Sequence, residues 1–88
     1  MRQFDVCSNP SERSRAYAPF VIVLQSHLLD AMPTVIVAPM IHADRAAYTK
    51  VAAQVTFDGV AYSISVAELA VIERRKLATV GNLFDAEY

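Results

Sequence analysis

The chain has 88 residues, enough for one domain and too few for two, and its 55% hydrophobic content exceeds what so small a domain hides alone. A formal net charge of −1 argues against nucleic acid as a direct partner. A single cysteine, Cys7, excludes an intramolecular disulfide and predicts a reduced, cytoplasmic protein.

Gln3-Phe4-Asp5-Val6-Cys7 alternates polar and apolar residues, which predicts a half-buried strand with Phe4 and Val6 on one face. The N-terminus has no apolar core of a secretory signal. Ser8 to Ala16 is rich in turn residues and reads as a long loop, of the kind that often carries function. Pro19 then opens a strand over Phe20 to Gln25, nearly continuous in apolar character and so buried on both faces. Ser26 can cap a short helical turn over His27 to Asp30, closed by Pro33. Thr34 to Ala38 is the third strand, ended by Pro39. Gln25-Ser26-His27 and Pro33 interrupt this apolar region well short of a membrane span.

Ile41 to Thr49 contains Ala43, Ala46 and Ala47, which permit a helical turn. In Gln54 to Ile64, Asp58-Gly59 lies between alternating runs and predicts a two-residue hairpin turn, in which Phe57 faces Val60 and Val55 faces Tyr62. Val66 to Val80 fits two patterns. Leu69, Ile72, Leu77 and Val80 form a helical face opposite Glu73, Arg74, Arg75 and Lys76, and short strands satisfy parts of the same stretch. Gly81-Asn82 breaks the pattern, and Asn82 can cap a helix beginning at Leu83.

No catalytic constellation emerges from these residues. His27 and Asp30 have a spacing that could orient an imidazole, but no nucleophile faces them; His42 with Asp44 is no stronger. Two histidines and one cysteine, unclustered, make no metal site, and two glycines make no phosphate loop, so no cofactor is expected. Cys7 reads as a small core residue rather than a nucleophile, and Arg74-Arg75-Lys76 as a solvated face rather than an anion site. Two features remain. Leu28-Leu29 either tucks under the sheet or stays exposed as a docking tip. Arg13 and Arg15 are either solvated loop charges or an arm for an acidic partner. The residues alone give a small, mostly β, self-associating binding module.

The pattern Gln3-Phe4-x-Val6, then Phe20-Val21-x-Val23-x-Gln25-Ser26-x-Leu28-Leu29-Asp30, then Val37-x-Pro39-Met40 resembles the CcdB family, from Gln3 to about Phe84. These are toxins of bacterial toxin–antitoxin modules. The resemblance implies a single domain over residues 1–88, mainly β: an SH3-like antiparallel barrel with a small accessory sheet and a C-terminal helix. It implies a homodimer that binds the A subunit of DNA gyrase and traps the cleaved-DNA complex. A cognate antitoxin neutralises the toxin, and DNA is met only through that complex, as repression of the operon. Leu28 and Leu29 match the family's gyrase-binding aliphatic pair. Arg13 and Arg15 fall in the region that contacts the antitoxin. Three departures stand out: Ala38 adds a position before Pro39, Glu73 replaces a common proline, and the chain ends at Tyr88, leaving the C-terminal helix truncated by about three turns. The rival expectations are an endoribonuclease toxin of the MazF type, which needs a basic groove, and a non-toxic relic that still binds antitoxin.

Overall fold

The computed structural model describes residues 2–25, 31–43, 53–65 and 68–83. Among them are seven strands: β1 (Asp5–Ser8), β2 (Phe20–Val23), β3 (Thr34–His42), β4 (Ala53–Phe57), β5 (Val60–Ile64), β6 (Ala70–Glu73) and β7 (Thr79–Asn82). A 3-10 turn, Arg74–Lys76, follows β6. All pairings are antiparallel, in the order β4-β5-β3-β2-β1-β7, with β6 also on β3. The sheet curls on itself, and the mainly β, half-barrel architecture agrees with the expected class. Of the C-terminal helix expected from Leu83, residues 84–88 lie outside the described residues, and Leu83 itself is in a turn.

β3 is the axis of the sheet. On one edge it pairs with β2 through Val37 to Met40. On the other it pairs with β6 through Thr34 to Val37, then with β5 through Met40 to His42. The expectation that Pro39 ends this strand is therefore wrong. Backbone N–H and C=O groups of one residue point to the same edge of an antiparallel strand, and the Pro39 carbonyl accepts from Ser65 N–H on the β5 side at 3.2 Å. The missing donor of Pro39 thus faces the gap where β6 hands over to β5, and no ladder bond is lost. The same extension puts Ile41 and His42 in β3 rather than in a helical turn.

The curl gives two large apolar clusters, beside a small third one of Ala18 and Ile41. Val6, Ile22, Ala38, Met40, Tyr62 and Ile64 fill the concave side, with Phe4, Phe20, Leu24, Val55, Phe57 and Leu83 packed around them. Cys7, Val21, Val23, Val35 and Val37 form the other, closed by Ile72 and Leu77. Alternation along β1, β2 and β3 assigns neighbours to opposite clusters, which is why β2 reads as buried on both faces. β2 itself ends at Val23, two residues before the sequence pattern suggests. β1 starts later than expected, at Asp5, because Phe4 sits at φ 68°, outside the extended region. Phe4 and Val6 nonetheless share the concave cluster.

The hairpin forms as expected. Asp58 (φ 53°) and Gly59 (φ 79°) make the turn, and Phe57 pairs with Val60 and Val55 with Tyr62. In the stretch that fitted two patterns, the described residues 68–80 form β6, the 3-10 turn and the start of β7 rather than one long helix. Of the apolar face proposed for a helix there, Ile72 and Leu77 are half-buried, but Leu69 and Val80 are 48% and 49% exposed. Gly81 and Asn82 do not break the structure; they belong to β7, and a register shift between Val6 and Cys7 leaves Val80 unpaired opposite β1. Asn82 donates its side-chain amide to the Gln3 carbonyl and to Asp5 Oδ1 at 3.2 and 2.9 Å, tying the last strand to the first.

Candidate functional site

The connection between β2 and β3 contains Leu28 and Leu29, along with His27 and Asp30, and these lie outside the described residues. Its base is defined on both sides. After β2, Leu24 N–H still bonds the Ile36 carbonyl. Gln25, buried, then continues the ladder with its side chain. Its Oε1 accepts from Ile36 N–H at 3.3 Å, and its Nε2 donates to the Thr34 carbonyl at 3.4 Å. The side-chain amide occupies the place of a peptide unit. On the opposite edge of β3, Arg74 N–H bonds the Pro33 carbonyl at 2.8 Å, and Arg74 Nε bonds the Met32 carbonyl at 3.0 Å.

The second candidate element is the loop from Asn9 to Ala18. Asn9 is buried and organises it. Its Nδ2 donates to Ser14 Oγ and to the Ala18 carbonyl, at 3.0 and 2.7 Å, and its Oδ1 accepts from Ser11 N–H at 2.9 Å. Backbone bonds from Arg15 to Ser11 and from Ala18 to Ser14 add helical turns. The sequence shows the turn residues but not that Asn9 ties the loop together with these bonds. Arg15, exposed, spends its Nε–H on the Asn9 carbonyl at 2.9 Å, so it is partly structural. Arg13 is exposed with no ion-pair partner among the described residues. The two expected partner-binding arginines therefore differ: Arg15 is tethered, whereas Arg13 is exposed and makes no ion pair among the described residues.

Between this loop and the sheet runs an open groove of ≈ 160 Å³, which sequence reasoning missed. Val21, Val37, Pro39 and Ile72 form its floor, while Tyr17 and Glu68 stand on its rim. The residues come from four separate segments, so no local pattern announces it. Its described lining contains no lysine or arginine.

Other candidates lose their chemistry in the fold. Cys7 is fully buried, with its Sγ 3.8 Å from Thr79 Oγ1. Burial pushes the thiol pKa up, the opposite of what a nucleophile needs. Arg75 and Lys76 both turn back to Glu73, at 2.7 and 3.6 Å, and hold its carboxyl below the usual range, Arg75 first. Two of the three cations in that run are thus engaged by its own carboxylate. His42 is half-buried against Tyr62, ring centroids 5.2 Å apart, and Asp44 lies outside the described residues.

One surface is more apolar than a lone domain needs. Ile36 and Val71 are cross-strand partners, 40% and 67% exposed, with Leu69 two residues before Val71. This strip is where the hydrophobic surplus of the composition surfaces.

No curated protein matches the chain. The family model described as CcdB protein matches residues 3–87, nearly the whole sequence. The curled antiparallel sheet over the described part of that range fits the match, and the chain belongs to the CcdB family, the toxins of toxin–antitoxin modules that act on DNA gyrase.

Proposed function

We propose that this chain is a stoichiometric gyrase poison. A homodimer binds the A subunit of gyrase and stabilises its cleaved-DNA complex, inhibiting by selective binding of one state rather than by making or breaking a bond. Leu28 and Leu29 contribute the gyrase-facing contact. A cognate antitoxin engages the loop carrying Arg13 and Arg15, neutralises the toxin and joins it in repressing their operon. The setting is cytoplasmic, and the biological role is maintenance of the genetic element that encodes the pair. The family match over residues 3–87 carries this reading. The hydrogen-bonded Asn9-centred loop, the framed base of the β2–β3 connection and the exposed Ile36–Val71 strip support its three contacts.

The test is a gyrase supercoiling assay with purified protein. Supercoiling should fall and cleaved DNA should accumulate. Leu28→Asp with Leu29→Asp should abolish both effects while antitoxin binding persists. Arg13→Glu should weaken antitoxin binding while poisoning persists. Antitoxin binding with no effect on gyrase identifies an antitoxin-binding relic instead. Cleavage of a mixed RNA substrate identifies an endoribonuclease, a chemistry that a described groove lining with Glu68 and no lysine or arginine does not favour.

A further inference from the structure

β6 is an edge strand with the composition of an inner one. Among the described residues it pairs only with β3. Ala70 and Ile72 line the groove on one face of the sheet. Val71 and the preceding Leu69 turn to the other face, beside Ile36, and stay exposed. A strand apolar on both faces normally lies inside a sheet. An edge strand is normally blunted by lysine, proline, a bulge or an inward charge. Ala70–Glu73 carries one charge, that of Glu73, and Arg75 and Lys76 neutralise it.

The hydrogen-bond phase of the β3 pairing fixes which residues face the open edge. Arg74 N–H bonds the Pro33 carbonyl, so the bonded pairs continue as Val35–Ile72 and Val37–Ala70. Ile36 has the matching phase, since its N–H and C=O are taken on the β2 side by Gln25 Oε1 and Leu24 N–H. Val71, the cross-strand partner of Ile36, therefore points its own N–H and C=O away from β3. By the same alternation Glu73 does so too, and Leu69 at the entry to the strand.

These three residues are self-complementary. Two β6 strands set antiparallel about a two-fold axis at Val71 put Val71 opposite Val71 and Leu69 opposite Glu73. Outward-facing groups then meet outward-facing groups throughout. The same register brings Glu68, on a groove rim whose described lining has no lysine or arginine, toward the partner's Arg74. Opposite charges thus meet at each end of the seam. On the face carrying Ile36, the exposed apolar strip of one copy continues into that of the other.

We propose that β6 is the seam of the homodimer: two copies join edge to edge, antiparallel about Val71, so that one sheet runs through both. The inference rests on the functional reading above for the dimer, and adds its edge, its register and its axis. Each Val71 N–H donates to the carbonyl of the partner's Val71, and the main chains of Leu69 and Glu73 bond across the seam on either side.

The experiment reads mass by sedimentation for the wild-type chain and for single substitutions in β6, with the far-ultraviolet spectrum as the check on folding. The wild-type chain should be a dimer at micromolar concentration. Val71→Cys should give a disulfide-linked dimer under mild oxidation, because the Cα atoms of a bonded antiparallel pair lie about 5.5 Å apart, within disulfide reach. Leu69→Cys should not, since two Leu69 positions stand roughly 14 Å apart in this register. Cys7 is fully buried and does not compete. Val71→Pro removes only an outward-facing N–H, so the β spectrum should persist while dimer affinity falls at least about tenfold. Should Val71→Pro unfold, the two cysteine variants decide. A wild-type monomer leaves the edge to an extended segment of another protein and overturns the inference. So does a dimer that a folded Val71→Pro leaves intact or that Val71→Cys fails to link, and the functional reading then stands if gyrase is still inhibited. A dimer linked through residue 71 that does not inhibit gyrase keeps the inference and overturns that reading.

Discussion

The ring of Phe57 lies directly on Gly81. A Cβ at Gly81 would stand 2.7 Å from Phe57 Cε1 and 2.9 Å from Cζ, closer than carbon atoms approach. Phe57 ends β4 and Gly81 sits in β7, the first and last strands in the sheet order. This contact is therefore where the two ends of the curled sheet meet. Phe57 is held there by an edge-on contact with Phe20, centroids 5.4 Å apart, and Phe20 in turn stands edge-on to Tyr62. Gly81→Ala should destabilise the fold by about 1–3 kcal/mol through overpacking. Adding Phe57→Leu should return part of that loss, with a coupling of roughly 0.5 kcal/mol or more in urea denaturation. Simple additivity would show that the ring yields freely.

Gly59 offers a contrasting case, since nothing lies within 4 Å of a Cβ built there. Its φ of 79° is the whole constraint. Gly59→Ala should cost about 1–2 kcal/mol from backbone strain alone, and Gly59→Val more. Because both neighbours of the turn stay in place, gyrase inhibition per folded molecule should not change.

Asn9 makes three side-chain hydrogen bonds from a buried position. Asn9→Ala should lower stability by about 2–4 kcal/mol, since the Ala18 carbonyl and Ser11 N–H lose their partner. Trypsin should then cut faster after Arg13 and Arg15, and antitoxin binding should weaken more than gyrase binding. Unchanged cleavage in this loop would mean that its backbone bonds suffice.

The protein should lose stability in alkali. Burial raises the Cys7 thiol pKa above its ordinary value, so the unfolded chain releases that proton first. The contribution is complete below about pH 8.5, and it is lost as pH rises toward the folded value. Tyr62 is raised as well, by burial and then by Asp58, and extends the fall past about pH 10. Cys7→Ala should start from a lower melting temperature but show a flatter slope between about pH 8.5 and 10. An unchanged slope would remove the thiol as its source.

Local chemistry was legible in the sequence. The Asp58-Gly59 turn needs positive φ at two positions, and that demand is written in two adjacent residues. The same holds for the apolar runs of β2 and the start of β3. What stayed hidden depends on partners distant in the chain. Pro39 reads as a stop until its missing donor is seen to face a change of neighbour. Val66 to Val80 has both periods in it, and pairing with β3 and β1 selects the strands. Arg74 looks like one of three surface charges because its acceptor, the Met32 carbonyl, has no side-chain signature. The groove under the Asn9 loop is invisible for the same reason, being assembled from four segments.

The pairing of β1 with β7 has a consequence for how the protein comes into being. Val6 finds its partner at Gly81, almost at the far end of the chain. At a synthesis rate of about 5–20 residues per second, roughly 4–15 s separate the two on the ribosome. During that interval the concave cluster has no last wall, because Phe57 has nothing to close against. Folding must await the final strand, and the high sequence separation of this pairing slows it further. The curled sheet therefore cannot close on itself until β7 has left the ribosome, whatever the strands before it have already paired with.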